Sequence, residues 1–355
     1  MNLSDFDYRL PEESIAQRPL EDRAASRMLV LYRDGQRWED RAFRELPQFL
    51  RPGDCLVLND SKVFPSRLYG HRAGVRALAV GKKNPARAEY LTGQVEVFLL
   101  GLDAGDPKLW QALVHPGRKM HLGERVRFEG GVEATVTARG AFGERTLRFD
   151  YDGDLYEWFG RVGHVPLPPY IKRADEAADR ERYQTVFARQ PGSVAAPTAG
   201  LHFTPEVLAK CQAAGAGIAH ITLHVGLGTF QPMRTERVED HHIHSERFEI
   251  TPENAEKMRS ASRLVAAGTT SVRTIETAAR SGPIQSSSGE TGIYIYPGFE
   301  FRATGAMLTN FHLPKSSLLL LVSAFAGKDF TFAAYKHAVE AGYRFYSYGD
   351  CMLIL

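Results

Sequence analysis

Cysteine is scarce in this chain of 355 residues: Cys55, Cys211 and Cys351 are the only three, and no two stand at C-x-x-C spacing. That excludes a disulfide framework and a cysteine zinc cluster, and it suits a reducing compartment. Long apolar runs are missing as well. The greasiest stretch, Leu318 to Val322, falls far short of the roughly 20 residues of a membrane span. The opening MNLSDFDYRLPEES has no basic region followed by an apolar run, so no secretory signal is expected. A cytoplasmic protein without a membrane partner is the expectation. Charge of one sign is also lacking, since 44 Lys and Arg against 42 Asp and Glu leave a net charge of +2. A phosphate backbone recruits a basic surface, and this balance announces none. Only local clusters such as Arg118-Lys119 and Lys172-Arg173 are basic enough to contact RNA. Internal repeats are absent.

What is present is a chain that is 43% hydrophobic, long enough for two domains and able to bury a full core. From Val95 to Phe149 it reads as short strands: Val95, Val97 and Leu99 alternate, as do residues 125–128, and turns fall at 103–107, 115–117 and 129–131. A small antiparallel barrel is the natural reading. After about Tyr151, helices alternate with strands. Thr204-Pro205-Glu206 and Thr251-Pro252-Glu253 are helix starts, and Gly215 ends the first of these helices. Strands are predicted at 218–225, 264–267, 293–296 and 307–309. Helices are predicted after Thr269-Thr270-Ser271 and at 316–326 and 332–341. Loops are read at 74–92 and 281–290. The fold class is therefore α/β: a large α/β barrel-like domain, residues 1–61 and 163–355, with a small antiparallel β-barrel domain, 62–162, inserted.

Polar residues gather where strands should end. His220, Thr222 and His224 share one strand face, and Gly226-Leu-Gly228-Thr229-Phe230 follows. That G-x-G lacks a third glycine and a following helix, so it is no dinucleotide fingerprint; it fits close backbone approach to a ligand. Asp240-His241-His242-Ile243-His244-Ser245-Glu246 is dense in imidazoles and acids. Its HHxH spacing is not a zinc pattern, so acid–base or binding work is favoured over a metal site. Gly268-Thr269-Thr270-Ser271-Val272-Arg273 leaves a strand and opens a helix, a turn suited to a carboxylate or phosphate, with Arg273 placed to add a bidentate grip. Asn310-Phe-His312-Leu-Pro314 also ends a strand, on the edge where α/β proteins bind ligands.

Taken together these segments resemble one family, the S-adenosylmethionine:tRNA ribosyltransferase-isomerases of queuosine biosynthesis. The resemblance runs from Asp5-Phe-Asp-Tyr-Arg-Leu-Pro to Phe345-Tyr-Ser-Tyr-Gly-Asp350. It is carried by Gly53-Asp54 with Leu56-Val-Leu-Asn59-Asp60, Gly163-His164-Val-Pro-Leu-Pro-Pro-Tyr170 and Ala195-Ala-Pro-Thr-Ala-Gly-Leu-His-Phe203. It continues in Thr222-Leu-His-Val-Gly226, Glu239-Asp-His241 with His244-Ser-Glu246, Gly268–Arg273 and Thr309-Asn-Phe-His-Leu-Pro314. Two departures are a longer stretch at 75–91 and Ser61 where the family typically has Thr.

The resemblance implies that S-adenosylmethionine is a consumed cosubstrate, with no further cofactor and no metal. The other substrate is tRNA with a G-U-N anticodon carrying 7-aminomethyl-7-deazaguanine at the wobble position. The products are epoxyqueuosine-tRNA, adenine and methionine. Residue type and position then suggest roles. His241 or His244 serves as base with Asp240 as orienter, and His312 as acid or adenine partner. Arg273, Thr269 and Thr270 grip the methionine carboxylate. Thr198, His202, His224, Phe230 and Asn310 bind substrate, and Arg67, Lys172 and Arg173 meet RNA phosphates. A monomer is expected. The rivals are a metal-dependent hydrolase on the 240–246 cluster, a methyltransferase and a noncatalytic RNA-binding protein.

Overall fold

The computed structural model describes residues 1–73, 93–103, 106–140, 143–226 and 233–355. The loop read at 74–92 and the substrate-binding candidate Phe230 lie outside the described residues. The chain divides into two compact units: Met1–Lys62, Leu167–Ala174 and Glu181–Leu355 form one, and Val63–Pro166 with Asp175–Arg180 forms the other. The short excursion Asp175–Arg180 left no mark in the composition.

In the smaller unit six strands, Arg67–Arg72, Gln94–Leu102, Leu109–His115, Arg125–Arg127, Glu133–Arg139 and Glu144–Asp150, close into a barrel. Their apolar alternation decides the inside. Val95, Val97, Leu99, Ala112, Val114, Ala134, Val136 and Leu147 are all buried. Helix Leu155–Val162 is capped by Asp154, whose carboxylate accepts from the amides of Tyr156 (2.7 Å) and Glu157 (3.3 Å). It packs Trp158 and Phe159 on Phe128 and Phe149.

The larger unit is built on one nine-stranded mixed sheet. Its order is Ser287–Thr291, Glu246–Ile250, Gly217–Leu223, Asp54–Asn59, Arg263–Ala267, Thr304–Asn310, Cys351–Ile354, Arg27–Tyr32 and Arg37–Ala42. The class is α/β as expected, but this sheet has two edges, and barrel closure belongs to the smaller unit alone. Successive side chains in the central strands enter opposite cores. Cys55, Val57, Leu264, Ala266 and Met307 pack on one face, and Leu56, Leu58, Val265, Ala267 and Leu308 on the other. Helices Pro252–Arg259, Thr269–Ala278, Ser317–Ala326 and Lys328–Glu340 cover the first face. Helix Pro205–Ala213 covers the second.

Both Thr-Pro-Glu helix starts hold: the hydroxyls of Thr204 and Thr251 accept from the amides of Val207 and Asn254. Three expectations are corrected. Residues 293–296 are not a strand. The edge strand is Ser287–Thr291, all but its last residue within the stretch read as a loop, because pairing with Glu246–Ile250 overrides its polar composition. Thr269, Thr270 and Ser271 do not precede their helix but form its first turn, with Gly268 at φ +95° as N-cap. No single helix among the described residues is long and apolar enough to cross a membrane, although Ser317–Ala326 and Lys328–Glu340 would pass such a test jointly across a 113° bend.

Candidate functional site

Four adjacent strands, Gly217–Leu223, Asp54–Asn59, Arg263–Ala267 and Thr304–Asn310, run parallel, so their carboxyl ends lie side by side. The chain leaving three of them, at Val225, Gly268–Thr270 and Asn310–Leu313, lines a cleft of about 670 Å³, counted out to its solvent opening. The cleft lies on the edge where open α/β sheets bind ligands. Five sequence-predicted residues meet in it: Thr198, Thr269, Thr270, Asn310 and His312.

Two helices begin at the cleft wall. Ser316 caps one, its hydroxyl accepting from the Leu319 amide at 3.2 Å. No side chain caps the other, which starts at Gly268. The first-turn amides of Thr269–Ala278, reinforced by the helix dipole, suit a carboxylate. Asn59 fixes that end in place. Its Nδ2 donates to Leu223 O (3.0 Å) and Thr270 Oγ1 (3.3 Å), while its Oδ1 accepts from the Leu223 and Ser61 amides at 3.0 and 3.1 Å.

His312 is buried, and desolvation pushes its pKa down to about 3. It is a neutral imidazole at physiological pH, with Nε2 2.8 Å from Thr309 Oγ1. An imidazolium proton is therefore not available from it near neutrality, which removes the simplest form of the expected acid role. His202 does not line this cleft. It lies behind Asn310, with Nε2 3.0 Å from Asn310 Oδ1 and Nδ1 2.8 Å from Ser26 Oγ. Because Asn310 Nδ2 donates to Tyr346 O at 2.9 Å, its Oδ1 is the acceptor and His202 carries its proton on Nε2. Burial, opposed by the Asn310 bond, lowers the His202 pKa to about 4.

The remaining candidates stand elsewhere. Arg273 is buried in an ion pair with Glu246, and it also donates to Ile293 O (3.4 Å) and Thr291 O (3.3 Å). Glu246 in turn accepts from the Gly226 amide at 2.8 Å. The guanidinium thus braces the strand exit at Gly226 and does not face the cleft, against the expected carboxylate clamp. Asp240, His241 and His244 do not line the cleft either. Asp240 and His244 are exposed, and His241 lies edge-on to Tyr294 with centroids 5.6 Å apart. Desolvation, then the charges of His244 and His242, lower the His241 pKa. Among the described residues no hydrogen bond joins Asp240 to either imidazole, and no group of three His, Cys, Asp or Glu is placed to hold a metal. His224 opens on a different depression, between Arg247 and Ser288. Lys172 pairs with Glu12 in the open, Arg173 donates to Gln17 O at 3.0 Å, and Arg67 pairs with Glu96 at 3.0 Å.

Sequence reasoning missed Tyr170, Thr309, Tyr346 and Ser347 in the wall. Tyr346 takes φ +69°, a conformation that costs a bulky residue about 1–3 kcal/mol and marks a place worth explaining. Its only advance signal was membership of the shared segment Phe345–Asp350. Tyr170 likewise ends the shared segment Gly163–Tyr170.

The model of the family described as queuosine biosynthesis protein matches residues 3–354. The chain is 69% identical to the S-adenosylmethionine:tRNA ribosyltransferase-isomerase of Solibacter usitatus (strain Ellin6076), across 100% of both chains. It is 48% identical to the enzyme of that name from Moorella thermoacetica, again over 100% of each. Among solved structures it is similar to the S-adenosylmethionine tRNA ribosyltransferase of Thermotoga maritima, with a TM-score of 0.54 and 37% identity over 99% of this chain and 100% of that one.

Proposed function

This chain belongs to the queuosine biosynthesis protein family, and on that premise we propose how its cleft performs the reaction. The protein is an S-adenosylmethionine:tRNA ribosyltransferase-isomerase: it moves the ribosyl part of S-adenosylmethionine to 7-aminomethyl-7-deazaguanine in tRNA, isomerising it to the epoxycyclopentanediol and releasing adenine and methionine. The observation that supports the cleft as the site is the meeting of an uncapped helix N-terminus, a neutral imidazole and threonine hydroxyls at the ends of parallel strands.

The methionine carboxylate docks on the first-turn amides and hydroxyls of Thr269 and Thr270. Thr198 and Asn310 fix the sugar and adenine, with His202 holding the Asn310 amide in one orientation. The sulfonium acidifies the neighbouring 5′ carbon. His312, oriented by Thr309, takes that proton as a neutral imidazole; the negative charge growing beside it raises its basicity at the moment of transfer. The ylide expels adenine, which leaves as the neutral base by taking the proton held on His312; the aminomethyl nitrogen of the tRNA base attacks the electrophile that results and releases a proton to solvent, and the epoxide closes as methionine leaves. S-adenosylmethionine is consumed, and the residues supply the proton transfers without a further cofactor.

The tRNA is one with a G-U-N anticodon and the aminomethyl base at the wobble position, handled by a cytoplasmic monomer. Lys172, Arg173 and Arg67 reach phosphates by exchanging their present partners. The Lys172 pair is exposed and screened by solvent, so that exchange is cheap. The test follows labelled S-adenosylmethionine with tRNA bearing the aminomethyl base. Free adenine and methionine are expected, and S-adenosylhomocysteine as the product would contradict the reading. In the same assay His312→Ala is expected to lower turnover by roughly 10²–10⁴, with His241→Ala and His244→Ala much milder.

A further inference from the structure

S-adenosylmethionine carries a positive sulfur, yet among the described residues no Asp or Glu lines the cleft. What does line it is a pair of tyrosine rings. Tyr170 and Tyr346 have centroids 4.7 Å apart and planes inclined by 49°. Each is held firmly. The Tyr170 hydroxyl lies 2.6 Å from Ser347 Oγ, which pins the ring from its polar end. Tyr346 is kept at φ +69° by a turn fastened at several points. Its carbonyl accepts from the Gly349 amide and from Asn310 Nδ2, both at 2.9 Å. Gly349 has no room for a side chain, because an added Cβ would stand 2.5 Å from Arg344 O. A bulky residue in the left-handed region is retained only where its surroundings insist on it, and here they hold Tyr346 in the cleft wall.

The missing carboxylate has a chemical reason. An acid beside the sulfur would pair with the cation, but it would also oppose the negative charge that builds on the adjacent carbon as its proton leaves. A ring face attracts a cation through its quadrupole and adds no formal charge. Taking the cleft as the S-adenosylmethionine site, the geometry points to Tyr170 and Tyr346 as specificity-determining residues that hold the sulfonium by their ring faces and so distinguish S-adenosylmethionine from the neutral thioether S-adenosylhomocysteine.

Equilibrium titration of the full chain with each of the two ligands, without tRNA, tests this. Tyr170→Leu and Tyr346→Leu are each expected to weaken S-adenosylmethionine roughly tenfold, the scale of a desolvated cation–π contact, while S-adenosylhomocysteine changes little. Tyr170→Phe keeps the ring and is expected to keep the preference. Equal losses for both ligands would overturn the charge clamp and make the rings a surface for the adenosine. Unchanged S-adenosylmethionine binding in both Leu variants would overturn it as well. Failure of the unaltered chain to bind S-adenosylmethionine would instead overturn the reading of the cleft, and the clamp with it. Should Tyr346→Leu not fold, Tyr170→Leu, at a partly exposed position, decides alone.

Discussion

At the scale of single residues, two buried imidazoles tie stability to pH. Desolvation holds His202 at about 4 and His312 at about 3, against roughly 6.5 in an unfolded chain. Between these values the unfolded state binds more protons, so stability rises with pH there. The contribution is complete above about pH 6.5 and is lost as pH falls toward 4 and then 3. Each group is worth on the order of 3 kcal/mol at neutrality. Denaturant unfolding at pH 7 and pH 4.5 is expected to show the loss, and His202→Gln to reduce it. An acid limb of equal size in that variant would place the effect elsewhere. Arg273 illustrates a role that sequence could not separate from its rival. A cation at a helix start fits a carboxylate clamp equally well as a brace, and only the position of Glu246, far off in sequence, decides between them. Arg273→Ala leaves that carboxylate buried and unpaired, which is expected to destabilise the fold by about 3–5 kcal/mol. Thermal denaturation measures this, and a variant of unchanged stability would restore the clamp.

Elements were legible where local chemistry dictates them. Thr204 and Thr251 announce their helices because the cap is made within three residues, and the alternating Val95, Val97 and Leu99 announce a barrel strand because the pleat has a period of two. The edge strand Ser287–Thr291 was not legible, since its pairing partner Glu246–Ile250 supplies what its own residues lack. Similarly, Thr269 and Thr270 were placed at the right turn, yet the glycine before them takes the N-cap by adopting φ +95°, which no neighbouring residue advertises. Asp154 offers a quantitative check on the small unit. Asp154→Ala removes the cap of Leu155–Val162 and is expected to cost about 1 kcal/mol, read as a lower unfolding midpoint in denaturant. An unaltered midpoint would mean that aromatic packing alone sets that helix.

At the scale of the whole molecule, the inserted barrel and the α/β sheet were foreseeable because hydrophobic period changes twice along the chain. The gathering of the site was only half so. Strand ends reveal which turns share an edge, and Thr198, Thr269, Thr270, Asn310 and His312 do meet. They do not reveal which imidazole turns inward, and the conspicuous cluster at 240–246 stands outside the cleft while a solitary histidine lines it. The balanced charge announces no broad basic surface, and the tRNA footprint proposed above rests on local basic residues. Affinity for tRNA is therefore expected to fall as a power of salt concentration, and Lys172→Ala with Arg173→Ala to reduce that slope by about two; a slope indifferent to both would exclude this pair from the footprint. The most direct measurement of all is a crystal structure with S-adenosylmethionine bound. The ligand is expected between Thr198, Asn310 and His312, its carboxylate on the amides of Thr269 and Thr270. Density lying instead against His241 and His244, with the cleft at the strand ends unfilled, would contradict the account.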